Sequence, residues 1–401
     1  MKEIPVKEKT ALYIHIPFCI SKCKYCDFFS ITSADSKVLN SYINSLCKEI
    51  LYRKKIHQIS ELKTVYIGGG TPSLLSCENI KCLFDFLHDN FKFDADAEIT
   101  IEINPGDINE NLLYAYKKCG INRLSCGIQS MNDKALTFAS RRASAENNRF
   151  VLNLLQKEWK ENFSVDLICG LPEETEESFI NGLTEVISYH PSHISMYSLT
   201  IEDKTPFGKL LQNGKLNYDF DFSDNLWLKA RSFLENQGYS QYEVSNFALK
   251  GYESCHNLFY WNYKNYLGCG SGATGTVYTE SGEGFRWTNS RKVNDYIDFW
   301  SDFNIDDYEE SAFSKIEDLE FVDKASSEFE FFMMGLRKVS GIKKSEYEGI
   351  FHKKIPEKIL KVFEGWEKKS LCQIINLEND VIYTLGQNGI VFLNKFLEEI
   401  I

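Results

Sequence analysis

Six short β-rich runs in the first half of the chain constrain its fold more than any other feature. They recur about every 25 to 40 residues and alternate with helical patterns near 36–55, 78–90, 109–119, 145–160 and 175–189. The runs cover residues 11–16, 63–67, 98–103, 122–126, 163–168 and 193–199. This spacing is typical of right-handed βαβ crossovers and hence of a parallel sheet. The sequence therefore predicts an α/β fold built on a partial (βα)6 TIM-like barrel, with an open doubly wound sheet as the alternative.

The rest of the chain follows a different pattern. The βα rhythm stops near residue 205, and a stretch rich in glycine and aromatic residues covers 238–290. A helical, charged segment is predicted from about residue 311, and a short β-like pair at 372–377 and 381–385. We therefore predict three regions. They are the partial barrel over 8–235, a glycine- and aromatic-rich extension over 236–310, and an α+β C-terminal region over 311–401 with a small helical or winged-helix-like module.

Three cysteines follow the first β-rich run in C-x-x-x-C-x-x-C spacing: Cys19, Cys23 and Cys26. A tetrahedral zinc site or an ordinary four-iron cluster takes four protein ligands. A four-iron cluster held by three thiolates therefore leaves one iron open for a small molecule. A three-cysteine zinc site completed by a distant histidine, or buried structural thiols, are the alternatives.

Glycines and polar residues mark the ends of the later runs. The segment Gly68-Gly69-Gly70-Thr71 follows the second run, and three glycines let the backbone approach a ligand closely. Glu102 ends the third run, Gln129 follows the fourth, and Asp166 lies in the fifth. Each residue alone could belong to the scaffold. Because ligands gather at the carboxyl ends of parallel strands, their joint appearance in order predicts one binding site.

At these motifs the sequence resembles the radical S-adenosylmethionine (SAM) superfamily. More narrowly, it resembles the branch that contains the oxygen-independent coproporphyrinogen dehydrogenases and the HemW-type haem chaperones. The resemblance implies a [4Fe-4S] cluster on the three cysteines, an open iron that SAM chelates, and an electron donor such as flavodoxin or ferredoxin. It also implies a set of SAM-binding residues, in which Arg141 pairs with the SAM carboxylate: Tyr13, Gly69, Gly70, Thr71, Glu102, Gln129, Arg141 and Asp166.

Two features separate the branches of that family. The dehydrogenase branch carries a further cysteine two residues past the last cluster ligand, where this chain has Phe28, and a long segment before the first strand. The stretch from Ser254 to Trp261 matches the H-N-x-x-Y-W element of HemW-type proteins. That match implies His256 as an axial ligand of haem iron, with Tyr260 and Trp261 stacked on the macrocycle. A satisfied corner of the protein core is the alternative for this element.

The sequence thus favours a cytoplasmic haem chaperone that binds haem and passes it to an acceptor protein. Oxidative decarboxylation of coproporphyrinogen III is the alternative, and a radical SAM enzyme acting on RNA is a third possibility. The formal net charge of −12 argues against broad electrostatic capture of nucleic acid. No apolar stretch approaches the roughly 18 to 20 residues that span a bilayer, and the N-terminus lacks the apolar segment of a signal peptide. The other nine of the 12 cysteines show no paired spacing, so we expect reduced thiols.

Overall fold

The computed structural model describes residues 5–6, 8–33, 35–160, 162–308 and 310–401. In chain order its strands are β1 (Thr10–Ile16), β2 (Phe18–Cys19), β3 (Ile31–Thr32), β4 (Glu61–Gly69), β5 (Lys92–Ile103), β6 (Arg123–Gln129), β7 (Asn162–Cys169), β8 (His193–Ser198), β9 (Ser240–Gln241), β10 (Asn246–Ala248), β11 (Tyr266–Cys269), β12 (Thr274–Tyr278), β13 (Gly284–Asn289), β14 (Glu317–Val322), β15 (Ile342–Lys343), β16 (Gln373–Asn376) and β17 (Val381–Thr384). Its α-helices are α1 (Ser36–His57), α2 (Cys77–Asn90), α3 (Glu110–Lys118), α4 (Asp133–Phe138), α5 (Ala145–Leu154), α6 (Glu176–Ile187), α7 (Pro206–Gln212), α8 (Phe220–Asn236), α9 (Cys255–Trp261), α10 (Val293–Asp302), α11 (Lys324–Gly335), α12 (Lys344–Phe351), α13 (Glu357–Glu367), α14 (Gly386–Gly389) and α15 (Leu393–Ile400).

The six predicted runs are the strands β1, β4, β5, β6, β7 and β8. They lie side by side in chain order, and each pairs in parallel with the next. The five predicted helical stretches correspond to α1, α2, α3, α5 and α6, which connect consecutive strands. Helix α2 shows why these segments are helical. Ser76 and Asn79 form a capping box at its start, and its buried side chains Ile80, Leu83 and Leu87 recur at helical spacing. The predicted partial (βα)6 barrel is confirmed.

The inner face of this barrel is polar. Along the strands, buried apolar residues such as Val65, Ile101 and Val165 alternate with polar residues, because successive side chains of a strand point to opposite faces. The polar residues face a cavity inside the barrel: Tyr66, Glu102, Arg123, Ser125, Ser164, Asp166, His193, Ser195 and Tyr197. The apolar residues form one core cluster with the surrounding helices. The barrel is therefore hollow on its polar side and packed on its apolar side.

In the part of the chain that the structure describes, the six parallel strands belong to a sheet of twelve. Its order is β14-β13-β12-β11-β1-β4-β5-β6-β7-β8-β10-β9. Strand β11 pairs in parallel with β1, and β12, β13 and β14 continue beyond it in antiparallel fashion. The expectation of a helical segment from about residue 311 is therefore wrong over Glu317–Val322, which is the edge strand β14. Its sequence EDLEFV alternates charged and apolar residues, a period of two that suits a strand.

A buried ionic cluster joins α1 to these added strands. Arg53 Nη2 lies 2.5 Å from Glu317 Oε2 and 3.4 Å from Glu49 Oε1, and the Arg53 and Glu49 side chains are fully buried. Glu49 also accepts hydrogen bonds from the Gly270 amide at 2.7 Å and from Asn289 Nδ2 at 2.7 Å. Burial raises the pKa of Glu49. The cluster therefore fixes the extension of the sheet to the first helix of the barrel.

The C-terminal region has an apolar core of its own. It contains a three-stranded antiparallel sheet in the order β15-β17-β16, which includes the predicted β-like pair as β16 and β17. Helices α11, α12, α13 and α15 contribute Phe331, Tyr347, Phe363 and Phe396 to this core, and Tyr263, two residues after α9, joins them. The predicted α+β region is confirmed. Among the described residues, no helix combines the length and apolar character needed to cross a bilayer.

Candidate functional site

A cavity of about 610 Å³ opens at the carboxyl ends of the parallel strands. Its lining includes all three cysteines of the predicted cluster, Cys19, Cys23 and Cys26. It also includes seven of the eight predicted SAM-binding residues: Gly69, Gly70, Thr71, Glu102, Gln129, Arg141 and Asp166. The eighth, Tyr13, does not line the cavity, and its hydroxyl lies 2.8 Å from His15 Nδ1. The structure thus brings residues from five different strand ends to one place.

The three cysteines lie on a loop whose two ends are held together. Strands β2 and β3 pair in parallel, so Cys19 lies opposite Thr32 at the base of the loop. The Thr71 hydroxyl donates to Cys19 Sγ at 3.4 Å, and Arg141 Nη1 donates to Cys23 Sγ at 3.8 Å. These contacts hold the cysteine loop in place beside the cavity.

The glycine loop lies directly against the end of β1. The Gly70 amide donates to Ile16 O at 2.8 Å, and a Cβ at Gly70 would stand only 2.7 Å from Phe18 O. Gly69 has φ +115°, and a Cβ there would stand 2.6 Å from the ring of His15. Side chains would therefore push this loop away from β1. Glycine leaves the loop backbone open toward the cavity, as a cradle for a small ligand requires.

Two of the carboxylates that line the cavity, Glu102 and Asp166, lie on the barrel strands β5 and β7. Glu102 Oε1 accepts from the Tyr66 hydroxyl at 2.9 Å, and Oε2 accepts from the Gly69 amide at 3.1 Å. Burial, with Asp166 nearby, raises the pKa of Glu102 to about 7. Asp166 accepts from the Ser125 hydroxyl at 2.9 and 3.1 Å, and burial raises its pKa as well. Such carboxylates can accept hydrogen bonds from ribose hydroxyls.

Arg141 carries a donor that the protein leaves unused. Its Nη2 donates to Gly127 O at 2.5 Å, while its buried Nε finds no hydrogen-bond partner among the described residues. A Cβ at Gly127 would stand 2.9 Å from both Arg141 Nη2 and Gln129 Nε2, so the glycine makes room for these two side chains. Buried donors without partners are rare in folded proteins. A carboxylate in the cavity would satisfy this guanidinium.

The described residues therefore fit the two groups that the sequence motifs imply. Three thiols are available to iron, the glycine loop offers bare backbone, and Arg141 offers an unused donor to a carboxylate. The role of each residue toward these two groups is a prediction.

The element predicted to contact haem borders the cavity through Asn257, but its three predicted haem contacts lie outside the lining. His256 is buried, with Nδ1 2.8 Å from Thr64 Oγ1 and Nε2 2.8 Å from the Tyr260 hydroxyl. Burial lowers its pKa to about 3. His256, Tyr260 and Trp261 are not among the residues that line the cavity. Both ring nitrogens of His256 are therefore engaged in this conformation, and haem contact by these three residues stays a prediction.

Several residues that shape the site were not predicted from the sequence. Tyr66 donates to Glu102, Ser125 donates to Asp166, and His15 Nε2 lies 3.0 Å from Phe29 O at the end of the cysteine loop. All three lie on parallel strands at positions that alternate with buried apolar residues. Extending the period of two along the strands, for example from the predicted Tyr13 to His15 or from Gly68 of the glycine segment back to Tyr66, would have identified such residues.

The sequence of this chain is similar to the sequences of known proteins. Residues 13–184 match the radical SAM superfamily. The haem chaperone HemW of Escherichia coli is 32% identical over 391 residues, which is 97% of this chain and 97% of that protein. The haem chaperone HemW of Bacillus subtilis is 33% identical over 374 residues, 93% of this chain and 94% of that protein.

The fold is also similar to a solved structure. Coproporphyrinogen III oxidase (HemN) from Escherichia coli, described as a radical SAM enzyme, superimposes with a TM-score of 0.78 over 98% of this chain and 90% of that chain. The two sequences are 21% identical, so this likeness shows the fold alone.

Proposed function

The chain belongs to the HemW family of the radical SAM superfamily, and we propose that it is a haem chaperone that binds haem and transfers it to an acceptor protein. The observation that carries this proposal is the extent of the likeness to HemW proteins, which runs through the C-terminal region as well as the barrel. A similarity confined to the superfamily core would support a SAM site and nothing about haem.

Membership of the superfamily implies SAM and a [4Fe-4S] cluster. In our proposal Cys19, Cys23 and Cys26 would hold the cluster, and an electron donor such as flavodoxin or ferredoxin would be the partner that supplies its electron. Together the cluster and SAM supply one-electron chemistry when bound.

The remaining predicted residues bind and orient SAM. Arg141 pairs with the ligand carboxylate through its unused Nε, and Gly69, Gly70 and Thr71 present backbone groups to the amino-acid end. Glu102 and Asp166 accept hydrogen bonds from ribose hydroxyls. Gln129 and Tyr13 complete the predicted set.

Oxidative decarboxylation of coproporphyrinogen III is the second candidate, because HemN shares the fold. Phe28 is evidence against this decarboxylase activity. This residue occupies the position where the dehydrogenase branch carries a further cysteine, and its side chain is 71% exposed at the lining of the cavity. A phenyl ring can neither ligate iron nor donate a proton. Action on RNA is the third candidate, and the net charge of −12 weighs against it.

We also propose that the protein works in the cytoplasm. All 12 cysteines are free thiols in the structure, which suits a reducing compartment.

The test is anaerobic reconstitution with iron and sulfide, followed by haem titration and transfer of bound haem to an apo-haem protein. Cys23→Ser should lose the cluster, measured as iron content and visible absorbance, whereas Cys82→Ser, on the exposed face of α2, should keep it. Coproporphyrinogen III turnover is assayed in parallel. Haem binding with transfer and without turnover supports the chaperone. Steady decarboxylation, or no haem binding by the reconstituted protein, refutes it.

A further inference from the structure

We propose that His256 of the H-N-x-x-Y-W element is a positioning residue for the SAM site, acting through Tyr66 on Glu102, and is not an iron ligand. The inference rests on the proposed SAM site. It assigns the element a role that requires no free ring nitrogen.

The first contact of this path joins two aromatic rings. The His256 ring stacks on the Tyr66 ring with centroids 5.0 Å apart and an interplanar angle of 27°. Tyr13 packs against both, with centroids 6.3 Å from Tyr66 and 6.5 Å from His256. Hydrogen bonds between its two ring nitrogens and the hydroxyls of Thr64 and Tyr260 prevent the imidazole from rotating. The position of the Tyr66 ring is thus set by a histidine that is itself fixed.

The second contact joins Tyr66 to the cavity wall. Its hydroxyl donates to Glu102 Oε1 at 2.9 Å, and the other oxygen of that carboxylate accepts from the Gly69 amide. Gly68 makes this contact possible, because a Cβ there would stand 2.8 Å from Glu102 Oε1 and 2.9 Å from the Tyr66 ring. Displacement of Tyr66 would therefore disturb both a ligand-facing carboxylate and the glycine loop.

The start of the element is fastened to the strand that carries Glu102. Glu98, on β5, accepts from the Cys255 amide at 3.0 Å and the His256 amide at 2.9 Å. At the other end of the element, Lys338 Nζ donates to Asn262 Oδ1 at 2.5 Å. Helix α9 therefore lies between the C-terminal region and β5, and its histidine points at β4.

The consequence for the site is electrostatic. Burial and the charge of Asp166 raise the pKa of Glu102, whereas the hydrogen bonds from Tyr66 and Gly69 lower it. The resulting pKa of Glu102 is about 7. Tyr13 and Tyr197 also face this region, and both stay neutral near pH 7 because burial raises the pKa of each. Tyr66 in its place therefore keeps part of the Glu102 population ionised at neutral pH.

The experiment measures SAM affinity between pH 6 and 8.5 in the anaerobically reconstituted protein. Tyr66→Phe keeps the ring and removes the donor, so the midpoint of the pH dependence should rise by about one unit. At pH 7 the ionised fraction of Glu102 would fall from about one half to about one tenth, which weakens SAM binding about fivefold. His256→Ala should produce the same shift, and the double variant should add little, since both changes act through one contact.

Two further variants separate positioning from general damage. His256→Phe retains a ring against Tyr66 and should move the midpoint back toward that of the wild type, although it loses both hydrogen bonds. His88→Ala, which removes an exposed histidine packed against Phe93 on the outer side of the sheet, should leave the midpoint unchanged. The titration of SAM itself is common to all variants and cancels in the comparison.

The outcomes distinguish this inference from the proposed function. If the wild type binds SAM and haem, and His256→Ala loses haem with an unchanged SAM midpoint, His256 is a haem ligand and the inference is overturned. An unchanged midpoint in Tyr66→Phe overturns it too, even if His256→Ala fails to fold. If the wild type binds no SAM, the proposed site fails, and the inference fails with it.

Discussion

Replacing Arg53 with methionine should destabilise the protein by about 3–5 kcal/mol, the usual cost of breaking a buried ion pair from one side. The Arg53 side chain is fully buried, and its partner side chains Glu49 and Glu317 are 0% and 3% exposed. Methionine fills a similar volume but leaves Glu317 without the cation 2.5 Å away. The guanidinium also lies 4.4 Å from the Trp287 ring centroid, so a cation–π contact is lost as well.

The magnitude depends on pH with a predictable sign. Burial raises the pKa of Glu49 above that of an unfolded glutamate, and loss of Arg53 removes an attraction that lowers it. In the variant the folded state therefore binds more protons than the unfolded state near neutral pH, and its stability falls as the pH rises. For one such carboxylate the penalty grows by at most about 1.4 kcal/mol per pH unit above its unfolded pKa.

Urea unfolding followed by tryptophan fluorescence at pH 5.5 and pH 8 measures both effects. Arg149→Met is the matched control, because Arg149 forms two hydrogen bonds with Glu185 at 2.6 and 3.0 Å, with side chains 47% and 31% exposed. The control should lose less than about 1 kcal/mol, as surface pairs do. Equal losses in the two variants, or a penalty for Arg53→Met that shrinks toward pH 8, would refute the reasoning.

Two further predictions concern the candidate site. Gly70→Ala should abolish SAM binding, measured by equilibrium dialysis, because the new Cβ would stand 2.7 Å from Phe18 O. The control Gly365→Ala on α13 places a Cβ with no atom within 4 Å, and it should stabilise the protein by about 0.5–1 kcal/mol. Wild-type binding in Gly70→Ala would contradict the assignment of the loop. Glu102→Gln should flatten the pH dependence of SAM affinity between pH 6 and 8, since the group with a pKa of about 7 is gone, and a retained midpoint would mean that another group titrates.

The parallel strands and the helices between them could be predicted because each carries a local signal. Strand β4 combines a β-rich run with a glycine turn, and α2 begins at Ser76 with its capping partner three residues on. Glu102, Gln129 and Asp166 could be grouped into one site for the same reason, since they lie at or near strand ends in chain order. Tyr13 and Arg141 came only from the resemblance to the radical SAM superfamily. Seven of the eight residues proposed for SAM line one cavity.

The parts that could not be predicted depend on contacts distant in sequence. Strand β14 was expected to be helical because its charged residues resemble a solvated helix. Its Glu317 accepts a hydrogen bond from Arg53, which lies 264 residues earlier, and the local sequence does not indicate that partner. His256 is a similar case. Its motif suggests a ligand, but Thr64 and Tyr260 occupy both ring nitrogens only once α9 packs on β4.

The pairing of β1 with β11 has a consequence for the order of events on the ribosome. The strand that leads into the cysteine loop has β4 on one side, but its other neighbour begins at Tyr266, far later in translation. Until that segment emerges, one edge of β1 stays open to solvent and to other chains. Iron loaded onto the nascent thiols before that point would meet an unfinished scaffold, so we expect insertion of the cluster to follow emergence of β11 from the ribosome.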